Sequence, residues 1–227
     1  MIAFAPLTPS TRVAILEPSQ GSGKGWAFLV DLFSRRQKER EKYGDRLPAG
    51  QHVVENWPVL TYGGTPRVNL KEWELRLFGL VEKEVKFNWE EFTALPATPV
   101  HADIHCVTTW SRFDQDFEGV SLPELLKHVK VDPKAKAIMA HCYGGYTTNL
   151  TMDDFLRDDN LLAYKHDGQP LPSEHGGPCR LVVPHLYFWK SAKWLRGIEF
   201  IEKDRPGFWE NYGYHLRGDP WKEERYS

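Results

Sequence analysis

The apolar residues of this chain recur mainly with the period of β-strands. The segment Trp73 to Val81 alternates like a strand with one buried face, since Trp73, Leu75 and Leu77 lie on one side and Glu74 and Arg76 on the other. Thr98 to Val107 has a similar alternation, and Ala135 to Cys142 is a short apolar run typical of a buried strand. We predict a further strand over Leu161 to Lys165, closed by a turn at Asp167-Gly168.

Short helical patterns lie between these strands. An apolar face over Trp26 to Tyr43 predicts a helix, and Asn88 and Glu91 have the spacing of a capping box at a helix start. Ser121 and Thr151 are predicted to begin two more short helices. Because strands and helices mix without a regular βαβ repeat, the pattern predicts an α+β fold with a mixed sheet.

Length and composition indicate one soluble domain. The 227 residues can bury a sizeable core, and we assign 1–44 to an irregular lead-in and helix and 45–227 to the domain. The net charge of −2 gives no reason to expect nucleic acid or an anionic membrane as a partner. The apolar stretch 26–33 is too short to insert into a membrane, and the first residues lack the pattern of a signal peptide, so we expect a cytoplasmic protein.

Cys106 is the candidate metal ligand. The three cysteines, at 106, 142 and 179, form neither a disulfide framework nor a pair of zinc knuckles. Such a small, odd number is consistent with a reducing compartment. A thiolate suits redox-active transition metals, and the end of a strand holds it more rigidly than a loop does. The alternative is that Cys106 is a buried cysteine acting as a small hydrophobic residue.

A second candidate site follows Gly168. The sequence His175-Gly-Gly-Pro leads to Arg180 at the start of an apolar strand, where a guanidinium can bind a phosphate through two hydrogen bonds. Lys190, Ser191 and Lys193 then lie between two tryptophans, which predicts a pocket for an anionic, planar ligand. Taken one at a time, these basic side chains also fit surface or purely structural roles.

The order of four motifs resembles the sulfite oxidase family of molybdenum enzymes. The motifs are His-Cys-Val-x-x-Trp-Ser around Cys106, Gly145-Tyr-Thr-Thr-Asn, His175-Gly-x-Pro-x-Arg-Leu-Val-Val-Pro, and Lys190-Ser-x-Lys-Trp. Within the family, the cysteine motif is most similar to the bacterial branch that includes the catalytic subunit of the protein-methionine-sulfoxide reductase. The resemblance covers about residue 45 to the C-terminus and implies a mixed-sheet molybdopterin-binding fold of the sulfite oxidase type.

The resemblance implies a molybdenum ion held by the dithiolene of molybdopterin and by one protein thiolate, which Cys106 matches. Other family residues that bind the pterin or its terminal phosphate match positions spread along this chain. These are Asn56, Trp57, Cys142, His175, Arg180, Lys190, Ser191, Ala192 and Lys193. For Cys142 the match departs from the reductase branch, which has Thr there. Tyr146 matches a tyrosine beside the metal, and its alternative is an ordinary buried tyrosine.

The neutral surroundings of the cysteine argue against sulfite as the substrate. Sulfite oxidases follow the cysteine with an Arg-rich run, whereas Val107 to Trp110 is neutral here and only Arg112 is basic. A pocket shaped by His105, Trp110 and Tyr146 suits a neutral S-oxide or N-oxide better than a dianion, because a buried anion without paired cations is costly. We therefore predict a molybdopterin-dependent oxidoreductase that transfers an oxygen atom.

The electrons for such a reaction require a separate electron-transfer partner, which the sequence does not identify. One alternative is a sulfite oxidase or dehydrogenase that acts on an inorganic oxyanion. A second alternative is a non-catalytic protein that binds a pterin or zinc through His101, His105, Cys106 and His141.

Overall fold

Two mixed β-sheets form most of the unit Glu39–Ser227, which carries every predicted site residue. The computed structural model describes residue 34 and residues 37–227. The chain divides into this unit and Met1–Lys38, and the predicted boundary at residue 44 stays a prediction. Of the helix predicted from Trp26, residues 26–33 lie outside the described part, and residues 37–43 are helical.

Eleven strands are found among the described residues. In chain order they are β1 (His52–Val53), β2 (Glu74–Gly79), β3 (Val85–Asn88), β4 (Thr98–His105), β5 (Trp110–Ser121), β6 (Ala137–Cys142), β7 (Thr147–Thr151), β8 (Leu161–His166), β9 (Gln169–Pro170), β10 (Arg180–Val182) and β11 (Leu195–Ile201). The predicted strand around Trp73 is therefore β2, and that around Leu161 is β8.

Each sheet combines parallel and antiparallel neighbours. The first has the order β1-β5-β8-β10, with β4 paired to β5 and β9 to β8; β1 runs parallel to β5 and the other pairs are antiparallel. The second has the order β3-β2-β11-β6-β7, in which only β11 and β2 are parallel among the described strands. The predicted mixed-sheet α+β class is confirmed.

Four short α-helices connect the strands of the described unit beyond residue 43. They are α1 (Trp89–Thr93), α2 (Leu122–Leu126), α3 (Met152–Phe155) and α4 (Phe208–Asn211). The predicted capping box at α1 is confirmed, since Asn88 Oδ1 accepts from the Glu91 N–H and Glu91 Oε2 accepts from the Asn88 N–H, both over 2.9 Å. No helix in the described residues is both long and apolar enough to cross a bilayer.

Two clusters of buried side chains stabilise the unit, one larger than the other. The larger includes Leu75, Ile138 and Ile198, whose strands are adjacent in the second sheet. The smaller packs against the first sheet and includes Cys106 and Trp110. The candidate metal ligand Cys106 therefore lies in the smaller cluster, close to the start of β5.

Candidate active site

A cavity of about 330 Å³ opens beside Cys106. Nine of its 19 lining residues are aromatic, and none of those in the described part of the chain is aspartate or glutamate. The lining residues are Trp57, Pro58, Leu60, Thr61, Tyr62, Cys106, Val107, Thr108, Trp110, Tyr146, Arg180, Phe188, Trp189, Ser191, Ala192, Lys193, Trp194, Trp209 and Tyr214. The structure thus brings together eight residues predicted separately from the sequence, namely Trp57, Cys106, Trp110, Tyr146, Arg180, Ser191, Ala192 and Lys193.

Cys106 begins a tight turn between β4 and β5. The prediction that Cys106 lies within a strand is corrected here, because β4 ends at His105. The turn is closed by hydrogen bonds from the Cys106 N–H to the Trp110 carbonyl, 2.8 Å, and from the Thr109 N–H to the Cys106 carbonyl, 3.0 Å. The buried Gln51 side chain donates a further bond of 3.0 Å to the Cys106 carbonyl. The backbone of the candidate ligand is therefore fixed at both its donor and its acceptor.

The Cys106 thiol is unoxidised and only 8% of the residue is exposed. Its Sγ lies 3.2 Å from the Thr108 hydroxyl oxygen. Burial raises the pKa of the thiol, because a thiolate is poorly solvated there, and the contact with Thr108 partly offsets that rise. A bound cation would favour the thiolate in such a place, since metal ions deprotonate the thiols that coordinate them.

Trp57, which lines the cavity, stacks with the predicted residue His175, which does not itself line the cavity. Their ring centres are 4.0 Å apart and their planes differ by 15°. Burial, with help from the nearby charge of Lys193, lowers the pKa of His175 to about 4, so the imidazole is neutral near pH 7. Its buried Nδ1 has no hydrogen-bond partner among the described residues, and the same holds for Nε1 of Trp110.

Arg180 connects two segments of the cavity wall by hydrogen bonds. Its Nη1 donates to the His175 carbonyl and its Nη2 to the Ser191 carbonyl, each over 2.7 Å. The guanidinium lies 4.1 Å from the ring centre of Phe188, and burial lowers its pKa to about 9. Two of its donors are therefore already used within the protein.

Lys193 joins the rim of the cavity to the loop that carries His175. Its Nζ donates to the carbonyls of Leu60, 2.9 Å, and Glu174, 2.6 Å. Burial and then the charge of Arg180 lower the pKa of Lys193 to about 8. Gly176 has φ +106°, and a Cβ there would lie 2.9 Å from Lys193 Cβ, so the loop can pass the lysine only with glycine at this position.

Tyr146 and Trp189 form part of the aromatic wall. The Tyr146 hydroxyl donates to the Trp189 carbonyl over 2.6 Å, and burial raises the pKa of Tyr146 well above its ordinary value. The Trp189 indole N–H in turn donates to Glu210 Oε1 over 2.9 Å. The phenol is therefore protonated and held in one orientation.

Lys190 is placed away from the cavity, although it was predicted to bind the cofactor. Its ammonium is fully buried and lies 2.6 Å from Glu210 Oε1, 2.7 Å from Asn149 Oδ1 and 2.6 Å from the Leu216 carbonyl. The charge of Lys190 is therefore balanced inside the protein, next to the group that holds Trp189.

Three other predicted residues are also outside the lining. His105 precedes Cys106 on β4, so its side chain leaves the backbone toward the other face; its Nδ1 contacts the Ser111 hydroxyl at 2.8 Å and its ring lies 5.1 Å from Trp221. Cys142 is buried in the larger core cluster. Asn56 is exposed beside Trp57. The structure does not bring these side chains to the cavity.

The histidines proposed for a zinc site are also far apart in the fold. His101 on β4 contacts Asp116 at 2.7 Å, whereas His141 on β6, in the other sheet, contacts Glu199 at 2.9 Å. Within the described part of the chain there is no group of three or more His, Cys, Asp or Glu side chains that could hold a metal ion.

Phe188, Trp209 and Tyr214 line the cavity but were missed from the sequence. Trp209 and Tyr214 stack with ring centres 5.1 Å apart. The dense aromatic run from Phe208 to Tyr214 is the signal that could have indicated them, although no spacing rule connects that run with Cys106.

Comparison with known proteins identifies the family of this chain. The model of the family described as "Oxidoreductase molybdopterin binding domain" matches residues 62–209. The chain therefore belongs to this family of molybdopterin-dependent oxidoreductases, which are similar to sulfite oxidase. A molybdopterin-binding domain implies a molybdenum cofactor.

Among curated relatives, the uncharacterized oxidoreductase YuiH of Bacillus subtilis is 46% identical over 86% of this chain and 99% of its own length. The putative protein-methionine-sulfoxide reductase subunit YedZ1 of Azospira oryzae is 30% identical over 73% of this chain, which spans 64% of that relative. Among solved structures, the sulfane dehydrogenase SoxCD of Paracoccus pantotrophus matches this chain with a TM-score of 0.57 and 26% sequence identity. The match covers 62% of this chain and 41% of the SoxCD chain.

Proposed function

We propose that this protein is a molybdenum oxidoreductase that reduces a neutral S-oxide or N-oxide by oxygen-atom transfer. The observation that carries the proposal is the lining of the cavity, which is rich in aromatic residues and has only two basic side chains, Arg180 and Lys193. Both already donate to backbone carbonyls. Because we assign both cations to the anionic cofactor, a dianionic substrate would lose its hydration without gaining a further cation, whereas a neutral polarised oxide loses much less.

The residues present fit a molybdenum cofactor. Cys106 offers a soft, unoxidised thiol on the lining, and Lys193 offers a cation suited to a terminal phosphate. The two buried nitrogens that lack protein partners, Trp110 Nε1 and His175 Nδ1, are polar groups suited to the heteroatoms of a bound ligand. We propose that Cys106 holds the metal and that Trp57, His175, Arg180, Ser191, Ala192 and Lys193 hold the pterin.

The remaining predicted residues receive narrower roles in this proposal. We place Asn56 and Cys142 near the pterin on the family likeness alone, and Lys190 and His105 behind the walls of the cavity. Resemblance to the branch that contains the protein-methionine-sulfoxide reductase supports an oxide as the substrate.

The cofactor, when bound, supplies the two-electron oxygen-atom transfer, and the protein supplies binding, orientation and exclusion of water. Cys106 fixes the position of the metal. Tyr146 remains protonated, its hydroxyl is held by the Trp189 carbonyl, and we place its ring beside the substrate at the aromatic wall. Reduction of an oxide XO to X and water consumes two electrons and two protons.

A separate electron carrier must supply these electrons, and we propose a protein partner in a cytoplasmic setting. One relative is described as a subunit, which supports an enzyme that works with a second component.

The first experiment is elemental and pterin analysis of protein from a host that makes the cofactor, followed by assay with a reduced viologen as the electron donor. We expect molybdenum and pterin in near-equal amounts, and oxidation of the viologen by sulfoxides or N-oxides. Absence of both molybdenum and pterin would contradict the cofactor assignment. Reduction of the oxidised centre by sulfite, without turnover of any oxide, would instead favour a sulfite dehydrogenase.

A further inference from the structure

Arg225 contacts the turn that carries Cys106 through its guanidinium. Its Nη1 donates to the Val107 carbonyl over 2.6 Å, and its Nη2 to the Ala49 carbonyl over 3.3 Å. Its guanidinium also lies 4.9 Å from the ring centre of Tyr187. We propose that Arg225 is a positioning residue that fixes this turn, and with it the thiolate that would hold the metal; this inference rests on the proposed function.

The turn needs such support because its backbone is strained. Thr109 has φ 78°, a left-handed conformation that a β-branched residue rarely adopts. Such a conformation persists only where the surrounding structure over-determines it. The two backbone hydrogen bonds that close the turn do not use the Val107 carbonyl, which accepts a hydrogen bond from Arg225 instead.

Arg225 also contacts the neighbouring segment Ala49 to Gln51, which is hydrogen-bonded to Cys106. Ala49, which accepts from Arg225, is two residues before Gln51, whose side chain donates to the Cys106 carbonyl. A Cβ added to Gly50 would lie 3.2 Å from Arg225 Nη2, so this stretch of backbone packs directly on the guanidinium. One side chain therefore restrains the turn both directly and through Gln51.

The contacts of Arg225 require the shape of arginine as well as its charge. A planar guanidinium can donate to two carbonyls while its face lies on an aromatic ring. A lysine ammonium is a point charge and cannot reproduce all three contacts at once. Comparing Arg225→Lys with Arg225→Ala therefore separates the effect of geometry from that of charge.

The first test measures alkylation of the metal-free full chain by iodoacetamide at one fixed pH, with each cysteine quantified by peptide mass spectrometry. Loss of hydrogen bonds from a charged group should raise the labelling rate of Cys106 by about 10-fold in Arg225→Ala. Arg225→Lys should fall between that variant and the wild type. Loss of the positive charge alone disfavours the thiolate and would slow alkylation, so a faster rate reports opening of the turn.

Two controls accompany this measurement. Cys142, buried in the larger core cluster, reports general loosening and should label at its wild-type rate. Arg196→Ala removes an arginine that also lies on a ring, 4.9 Å from the centre of Tyr143, but does not line the cavity. That variant should leave the labelling of Cys106 unchanged.

The second test uses the loaded enzyme, with molybdenum content measured in every sample. We expect the Mo(V) electron paramagnetic resonance spectrum of Arg225→Ala to differ from the wild type, because the orientation of the thiolate changes. Unchanged labelling of Cys106, an unchanged spectrum, or equal increases at Cys106 and Cys142 would each overturn the proposal. Wild-type protein without molybdenum would instead identify a failure of the proposed function, and the labelling result would still decide whether Arg225 fixes the turn.

Discussion

The cysteine turn and the aromatic rim of the cavity are held in different ways. At the turn, both backbone groups of Cys106 are hydrogen-bonded, and Gln51 and Arg225 add further donors. The rim segment 58–62 is held by side chains from other segments: Lys193 Nζ donates to the Leu60 carbonyl, and the ring of Tyr62 packs 4.5 Å from that of Phe208. Leu60 is 48% exposed and Tyr62 64% exposed.

This difference matches what each region has to do. A metal ligand must be held within a fraction of an ångström of its productive position, which requires rigid neighbours. A rim that admits substrates needs shape and apolar surface more than fixed hydrogen bonds, and loops tolerate variation for that reason. Changes at the turn should therefore abolish chemistry, and changes at the rim should alter the choice or affinity of substrate.

Cys106→Ser tests the turn most directly and should have the largest effect. A hydroxyl is a poor ligand for a soft metal site, so we expect turnover of oxides to fall below detection and molybdenum to be lost. Because the two side chains are similar in size, the free energy of unfolding should change by only about 1 kcal/mol, a shift of roughly 2–4 °C in Tm.

Cys179→Ser is the matched control for that experiment, since it removes another buried thiol that lies outside the cavity. It should retain molybdenum and turnover. Oxide turnover that survives in Cys106→Ser would contradict the assignment of the metal ligand. Loss of molybdenum in Cys142→Ser would show that Cys142 acts on the cofactor, as its position in the sequence motif predicts.

The wall behind Trp189 should respond next most strongly, through the free energy of unfolding. Glu210→Gln leaves the fully buried ammonium of Lys190 without its counter-charge, and breaking a buried pair costs about 3 kcal/mol or more. For a chain of this size, that cost lowers Tm by roughly 6–12 °C, measurable by calorimetry.

The control is Glu118→Gln, which breaks a pair with Lys165 of the same length, 2.6 Å, whose side chains are 37% and 39% exposed. Solvent screening should limit its effect to about 1 kcal/mol or less. Equal shifts in Tm for the two variants would show that the buried pair does not fix the wall.

The sequence motifs pointed to Cys106 and to part of the walls, but they did not predict the turn. Cys106, Tyr146 and Arg180 belong to ordered motifs, and the cavity brings all three together. Strand β5 was missed, although charged residues at every second position from Arg112 to Glu118 carried the signal of a strand with one solvated face.

Pairing between distant segments could not be predicted from the sequence. Lys190 was assigned to the cofactor because it matches a cationic position of the resembled family, yet its ammonium is buried against Glu210. Sequence spacing does not reveal which of 31 acidic residues faces a given lysine. Trp209 and Tyr214 reach the cavity through the same kind of long-range packing.

Lys193 connects the rim to the proposed cofactor site, and its effect should depend on pH. Burial lowers its pKa to about 8, below the ordinary value near 10.5. Between these two pH values the Lys193 side chain is therefore neutral in the folded protein and protonated in the unfolded chain. The free energy of unfolding should therefore rise as pH increases from about 8 to 10.5. Retention of an anionic cofactor should change in the opposite direction, weakening as the ammonium is neutralised above about pH 8.

Lys193→Arg is the informative variant, because a guanidinium remains charged across this range. Molybdenum and pterin retained after gel filtration at pH 7 and pH 9.5 should fall in the wild type and stay constant in Lys193→Arg. A wild-type protein that retains its cofactor equally well at both pH values would contradict a role for Lys193 in binding an anion.

Tyr62→Ala should give the smallest effect and tests the rim alone. Tyr62 lines the cavity but contacts the protein through ring packing on Phe208 and Trp209, so its loss should leave the metal and Tm unchanged. We expect KM for an aryl sulfoxide to rise a few-fold with kcat unchanged, which is the behaviour of a group that binds ground state and transition state equally. Tyr226→Ala, a change at a 65% exposed tyrosine outside the lining, should alter neither constant. A fall in kcat with unchanged KM in Tyr62→Ala would mean that the rim takes part in the chemistry, and the division between a rigid turn and a permissive rim would then be wrong.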